Sequence, residues 1–197
     1  MLCSSKTKGA LVALITGMVL CGNSAIAAAS DRETCFFSRT AEASEKIAAC
    51  TRVLDKTPDD ILMLYTRARL QAFKMKNHSL AITDMERVVK LETSVTSIFD
   101  ERVFLAGEYA IVGRHADAVT MYTLAFNGVG EYLNALTCQV ESCDPSSPDH
   151  YFSRGQSYEK IGNMEAAKND YRKAIEMGEI DPFLQEEQAK AALTRLR

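Results

Sequence analysis

The sequence predicts an all-α fold, an α-solenoid of about four helical hairpins followed by a C-terminal capping helix. The first observation is a small–aromatic–small spacing at i, i+4 and i+7, which places three side chains on one helix face. It occurs twice in the sequence, at Ala118, Tyr122 and Ala125 and at Ala167, Tyr171 and Ala174. The second is composition: only 4 prolines and 10 glycines interrupt a chain without tryptophan, which favours helices.

The first 27 residues are predicted to be a secretory signal peptide. Lys6 and Lys8 form a basic start, residues 9–20 are uncharged and largely apolar, and residues 25–27 (Ala-Ile-Ala) provide a small-x-small cleavage site. The apolar run is shorter than the roughly 20 residues of a membrane span. Two alternatives stay open: an uncleaved anchor, and acylation at Cys21, where Leu20 replaces the small residue that lipoprotein signals place before the cysteine.

Removal of the signal peptide leaves 21 basic residues (23 minus Lys6 and Lys8) against 26 acidic ones, a net charge of −5. No basic stripe is present, which argues against nucleic acid as the main partner. No later segment is long and apolar enough to predict a membrane span.

Helix signals then follow one another along the remaining chain. Pro58 ends one helix, Gly113 and Gly162 stand where two hairpins turn, and Asp181-Pro182 opens the last helix. We therefore predict helices over 31–39, 44–56, 60–75, 79–91, 97–112, 115–126, 149–161, 164–177 and 182–196. In the last helix, we expect Leu184, Ala191, Ala192 and Leu196 to face the stack, with Glu186, Glu187, Lys190 and Arg195 facing water.

This pattern resembles the tetratricopeptide repeat (TPR) family, whose units of about 34 residues carry small or aromatic residues at fixed positions. The matches are clear for repeats over about 99–132 (Leu105, Ala106, Tyr109, Ala118, Tyr122, Ala125) and 148–181 (Tyr151, Gly155, Tyr158, Ala167, Tyr171, Ala174). The repeat over 62–95 matches less closely, with Tyr65, Ala72 and Ala81 followed by Met85 and Val88. A degenerate repeat over 31–58 precedes them, and its Cys-containing start is similar to that of exported bacterial TPR proteins. The TPR domain is thus expected to cover 28–197.

Four cysteines remain after residue 27, and an even number in an exported chain indicates disulfides. Cys35 and Cys50 are equidistant from the turn near residue 42, so an antiparallel hairpin places them at the same height. Their spacing favours a Cys35–Cys50 pair and leaves Cys138–Cys143 as the second. A redox role for Cys35 and Cys50 is the alternative, although they lack the C-x-x-C spacing.

An insertion over 127–148 exceeds the usual connection between repeats. A Cys138–Cys143 ring inside it predicts either a brace that carries the chain onward or a loop that binds a partner. Zinc is disfavoured because only these two cysteines and His150 lie nearby.

The TPR resemblance implies that a partner lies along the inner face of the first helix of each hairpin. By register, the groove residues are Met63, Thr66, Leu70, Phe73, Asp100, Val103, Gly107, Ala110, Phe152, Gln156 and Glu159. A carboxylate clamp of the family's Lys/Asn type is disfavoured, since Thr66, Leu70, Val103 and Gly107 stand at those positions. Packing is the alternative role for Leu70, Phe73 and Phe152.

No nucleophile, metalloprotease or phosphate-loop motif occurs in the sequence. His78 and His115 stand at equivalent turns, where solvation or capping is the ordinary role. We therefore expect a non-enzymatic scaffold or adaptor of the bacterial periplasm, without cofactor or metal, that binds a protein or peptide and no nucleic acid. The alternatives are a membrane-tethered accessory subunit of an envelope assembly complex and a thiol-disulfide protein that uses Cys138 and Cys143.

Overall fold

The computed structural model describes residues 31–94, 98–128, 147–178 and 186–196, and within these ranges the chain is helical with short turns and no strand. The helices are α1 (31–36), α2 (Ala43–Leu54), α3 (Ile61–Phe73), α4 (His78–Leu91), α5 (Ile98–Ile111), α6 (His115–Asn127), α7 (Pro148–Lys160), α8 (Met164–Gly178) and α9 (Glu186–Arg195). The predicted all-α class is confirmed. The predicted signal peptide (residues 1–27), Cys138, Cys143, Pro182 and Leu184 lie outside the described residues.

Contacts divide the chain into two compact units, one ending at Met75 and the other beginning at Lys76. The first contains α1–α3 and the second α4–α9.

Two ion pairs and a close pair of cysteine sulfurs join α1 to the rest of the first unit. The sulfurs of Cys35 and Cys50 lie 2.08 Å apart, at disulfide bonding distance, and both side chains are buried. Arg52 donates to Asp31 at 2.7 Å, and Arg32 pairs with Asp60. The pairing favoured by the sequence is therefore the one that joins α1 to α2.

The second unit buries the repeated small and aromatic residues that predict the fold. Those with at most 5% exposure include Ala81, Met85, Val88, Leu105, Ala106, Tyr109, Ala118, Tyr122, Ala125, Ala167, Tyr171 and Ala174. Burial of these positions is the main stabilising contribution, because no hairpin covers its own apolar face.

The hairpin turns use left-handed backbone at one equivalent position. Gly113 and Gly162 have φ of 81° and 82°, and Lys76 has φ of 56° at the corresponding turn before α4. Glycine adopts this geometry without strain. The turn at Lys76 therefore has a backbone strain energy that the turns at Gly113 and Gly162 do not have.

The last helix packs on α8, with Ala192 and Leu196 on the packed face as predicted. Ala189 and Ala192 are buried, and Leu193 and Leu196 pack beside them. Ala191, expected to face the stack, is exposed. The buried positions follow i, i+3, i+4 and i+7 from Ala189, the spacing of a single helical face.

Helices α7 and α8 lie close together at Gly155. A Cβ atom added there would lie 2.8 Å from Cε1 and 2.9 Å from Cδ1 of Tyr171. The Tyr171 ring is fully buried, and its hydroxyl donates to Glu159 at 2.9 Å, so it has no room to withdraw. Glycine is therefore required at this position.

We predict that Gly155→Ala lowers the free energy of unfolding by about 1–2 kcal/mol, because overpacking exceeds the gain in helix propensity. Gly107→Ala is the matched control: it makes the same change within a helix, but the nearest atom to its new Cβ is 3.9 Å away. That variant should be as stable as the parent or up to about 1 kcal/mol more stable. Urea unfolding followed by circular dichroism measures both, and equal stabilities would contradict the packing argument.

Candidate functional site

Two of the predicted groove residues belong to the core, and their assignment to a binding surface was wrong. Met63 has 0% exposure and Phe152 has 5%. The Phe152 ring lies 5.5 Å from the Tyr171 ring, within the aromatic contact range. Both side chains are buried and cannot reach a partner.

The other groove residues of the first unit lie on α3. The Thr66 hydroxyl donates to the Leu62 carbonyl at 2.7 Å, Leu70 is half-buried, and Phe73 is 52% exposed. The Arg69 guanidinium lies 5.6 Å from the Phe73 ring centre. These residues form a partly accessible face of α3.

In the second unit, Asp100 is exposed and Val103 is half-buried on α5. The remaining predicted groove residues come together in a cavity of about 560 Å³. It is lined by Gly107, Ala110 and Ile111 of α5, His115 and Tyr122 of α6, Ser153, Gln156, Ser157, Glu159 and Lys160 of α7, and Arg195 of α9.

One side of the cavity is apolar and the other can form hydrogen bonds. Gly107 and Ala110 add almost no side chain to the α5 side, while Ile111 at its end is 61% exposed. On the opposite side Gln156 is exposed, and Tyr122 and Ser153 are hydrogen-bonded to each other. Burial raises the pKa of Tyr122, and the bond to Ser153 opposes that shift. The phenol therefore stays neutral.

Glu159 organises the end of the cavity near α9. It accepts from the Tyr171 hydroxyl at 2.9 Å, and Nη2 of Arg195 lies 2.9 Å from each of its carboxylate oxygens. Burial, with the hydrogen bond to Glu159, raises the pKa of Tyr171 far above its ordinary value, so this hydroxyl remains a donor. One carboxylate thus connects α7, α8 and α9.

Arg195, Lys160 and Ile111 are cavity residues that the sequence analysis missed. Arg195 was expected only to face water, and it is 64% exposed in its side chain while bonding Glu159. The spacing of 36 residues between the two exceeds any helical periodicity, so no local signal could have paired them. Lys160 follows Gln156 by four residues, the spacing of one helix face, and this signal was available.

The two turn histidines have different surroundings. His78 Nδ1 lies 2.8 Å from Oε2 of Glu108, which is buried. His115 lines the cavity, and its Nδ1 is buried without a hydrogen-bond partner among the described residues. Neither forms a nucleophile–base pair with a described residue.

Within the described ranges, no group of three His, Cys, Asp or Glu side chains is placed to hold a metal ion. None of the described helices combines the length and apolar character needed to cross a membrane.

The repeat that forms the α7–α8 hairpin also decides the family resemblance. Residues 149–177 match the family model described as tetratricopeptide repeat. The chain carries a tetratricopeptide repeat. The Gly155–Tyr171 contact, the Phe152 ring and Glu159 all lie inside this TPR segment.

Solved structures show the same TPR-type fold. A crystal structure of MamA is 17% identical, covers 78% of this chain and 86% of that chain, and has a TM-score of 0.54. MamA residues 41–end from Desulfovibrio magneticus RS-1 are 15% identical over 86% of this chain and 93% of that chain, with a TM-score of 0.53. A putative kinesin light chain from Podosopora anserina, with nearly identical TPR-like repeats, is 14% identical over 78% and 77%, with a TM-score of 0.57. No curated protein matches the sequence.

We predict that Phe152→Asp destabilises the second unit by at least about 3 kcal/mol, since it removes a buried ring and introduces a charge into the core. Phe73→Asp, at a 52% exposed position, should change stability by about 0.5 kcal/mol or less. Thermal melts by circular dichroism compare the two. If Phe152→Asp left the unfolding temperature unchanged, the core assignment of Phe152 would be contradicted and the predicted role on the binding surface would be supported.

Proposed function

We propose that this chain is a non-enzymatic scaffold that binds an extended segment of a partner protein in the cavity between α5, α6 and α7. The cavity itself supports the proposal. Its volume of about 560 Å³ falls within the range of protein ligand sites, and Gln156 offers an exposed amide opposite the small residues Gly107 and Ala110.

The chemistry of the lining suits a peptide main chain. An amide side chain can both donate to a peptide carbonyl and accept from a peptide N–H. The apolar side, widened by Gly107 and Ala110, accommodates the alternate side chains of an extended strand. The TPR segment adds to this proposal, because stacked helical repeats present extended surfaces for macromolecular partners.

We also propose that the protein acts after export, in the periplasm. Two observations support this location: the signal-peptide features of residues 1–27 and the position of Cys35 and Cys50 at disulfide distance. Disulfides persist in oxidising compartments and are rare in the cytosol. The membrane-tethered and thiol-disulfide alternatives depend on Cys21, Cys138 and Cys143, which stand outside the described residues.

We predict that Gly107→Leu weakens peptide binding, because its side chain extends into the cavity near the Tyr122 hydroxyl. Dodecapeptides selected from a displayed random library on the parent protein serve as probes, and fluorescence polarisation measures their affinity. Gly107→Leu should weaken binding by about tenfold or more, equivalent to about 1.4 kcal/mol, while Gly107→Ala should stay within about twofold.

Circular dichroism must show both variants folded, and leucine suits a helix interior. Peptides that bind Gly107→Leu as tightly as the parent would place their site outside the cavity.

For export, mass spectrometry of the native protein should find a mature chain that begins at Ala28. Alkylation without reductant should leave Cys35 and Cys50 unlabelled, whereas a readily labelled Cys138–Cys143 pair would favour thiol-disulfide work. A lipid mass on Cys21 would support the tethered alternative and contradict release into the periplasm.

A further inference from the structure

We propose that the cavity selects partner segments that carry an acidic side chain, whose carboxylate pairs with Lys160. This inference rests on the proposed function and adds the chemical class of the partner. It comes from the distribution of charge around the cavity.

The negative charge of Glu159 is already balanced by Arg195. Both of its oxygens face Arg195 at 2.9 Å, and one also accepts from Tyr171. Lys160 is the other charged residue of the lining. By formal charge, which omits histidine, Lys160 and Arg195 against Glu159 give the cavity a net charge of +1 in a chain whose overall charge is −3.

Lys160 is the last residue of α7, and no acidic residue lies three or four positions from it in the sequence. Gln156 and Ser157 precede it in the helix, and Asn163 and Met164 follow beyond the helix end, all uncharged. Other lysines of this unit do have such partners: Lys168 pairs with Glu165, Lys173 with Glu176, and Lys190 with Glu187. In the described parts of the chain, the exposed ammonium of Lys160 forms no ion pair. Its charge is therefore available to a ligand.

The polar residues that α7 contributes to the cavity span a distance that a short extended peptide can cover. Ser153, Gln156 and Lys160 all line the cavity, and seven residues of helix separate the first from the last. At 1.5 Å per residue this is about 10 Å, the length of about three residues of extended chain at about 3.3 Å each. A main chain that meets Gln156 therefore brings a neighbouring side chain to Lys160.

The open end of the cavity favours a side-chain carboxylate over the carboxylate of a chain end. Lys160, the last residue of α7, is exposed, and Ile111, the last residue of α5, is 61% exposed. A peptide that runs along α7 can therefore continue past Lys160 into solvent. The carboxylate that meets the ammonium then comes from an Asp or Glu within the segment.

The test uses the full mature chain and a displayed library of random dodecapeptides whose C-terminus is fused to a neutral carrier. The parent should enrich Asp or Glu at one position, Lys160→Gln should lose that enrichment, and Lys160→Glu should favour Lys or Arg there. For one selected peptide, changing the acid to its amide should weaken binding to the parent about threefold to tenfold, and binding to Lys160→Gln by less than about twofold. Lys168→Gln, which removes a lysine paired with Glu165 outside the cavity lining, is the matched control and should behave like the parent.

The outcomes separate the two proposals. Neutral peptides that lose binding in Gly107→Leu would leave the scaffold function in place and overturn the acidic preference. Equal losses for the amide peptide on the parent and on Lys160→Gln would also overturn it. If a selected segment binds only when its own C-terminus is free, the carboxylate that pairs with Lys160 is that of the chain end. This result would contradict the inference. Peptides indifferent to Gly107→Leu would overturn the cavity as the site altogether.

Discussion

The contact between the Tyr171 ring and the backbone of Gly155 determines the geometry of the second unit around the cavity. Because α7 has no Cβ at this point, α8 comes close enough for its tyrosine to be fully buried. The buried hydroxyl then needs a partner, since an unpaired polar group in a core costs about 1–3 kcal/mol. Glu159 is that partner, and its remaining capacity attracts Arg195 from α9. A close helix approach thus fixes a carboxylate at the edge of the cavity.

A second layer of interactions attaches this hairpin to α6. Arg154 donates to both carboxylate oxygens of Asp170 at 2.7 Å, and its guanidinium lies 4.4 Å from the Phe126 ring centre. Buried ion pairs offer little net stability against apolar substitutes, but their geometry is demanding. Arg154 therefore contributes chiefly the relative position of α6, α7 and α8. The Tyr122 side of the cavity and the Gln156 side are held at a defined separation by this residue.

The sequence predicts the buried faces of the repeats because alanine and tyrosine at i, i+4 and i+7 have one stable arrangement, and Ala167, Tyr171 and Ala174 all have 0% exposure. Helical register did not predict that Phe152 is buried, because periodicity gives the direction of a side chain and not how far it extends. Its ring is long enough to meet Tyr171. In α9 the prediction is confirmed for Ala192 and Leu196 and wrong for Ala191, since alanines occur on several faces of this short helix and Ala189, not Ala191, is buried.

The aligned repeats indicate where the cavity lies, although they do not indicate the ion pair between Glu159 and Arg195. Gly107 and Ala110 occupy positions that correspond to Leu70 and Phe73 in the preceding repeat and to Gln156 and Glu159 in the following one. Because α5 carries small residues at both positions, it leaves a space beside it that residues of α6, α7 and α9 line. Small residues in a helix that has no close partner at those positions bring no packing gain, and glycine there lowers helix stability by about 1 kcal/mol. At Gly107 the nearest atom lies 3.9 Å from an added Cβ, so helix packing does not require glycine there. A ligand that occupies this space would require a small residue. This requirement connects the repeat pattern with the proposed binding role.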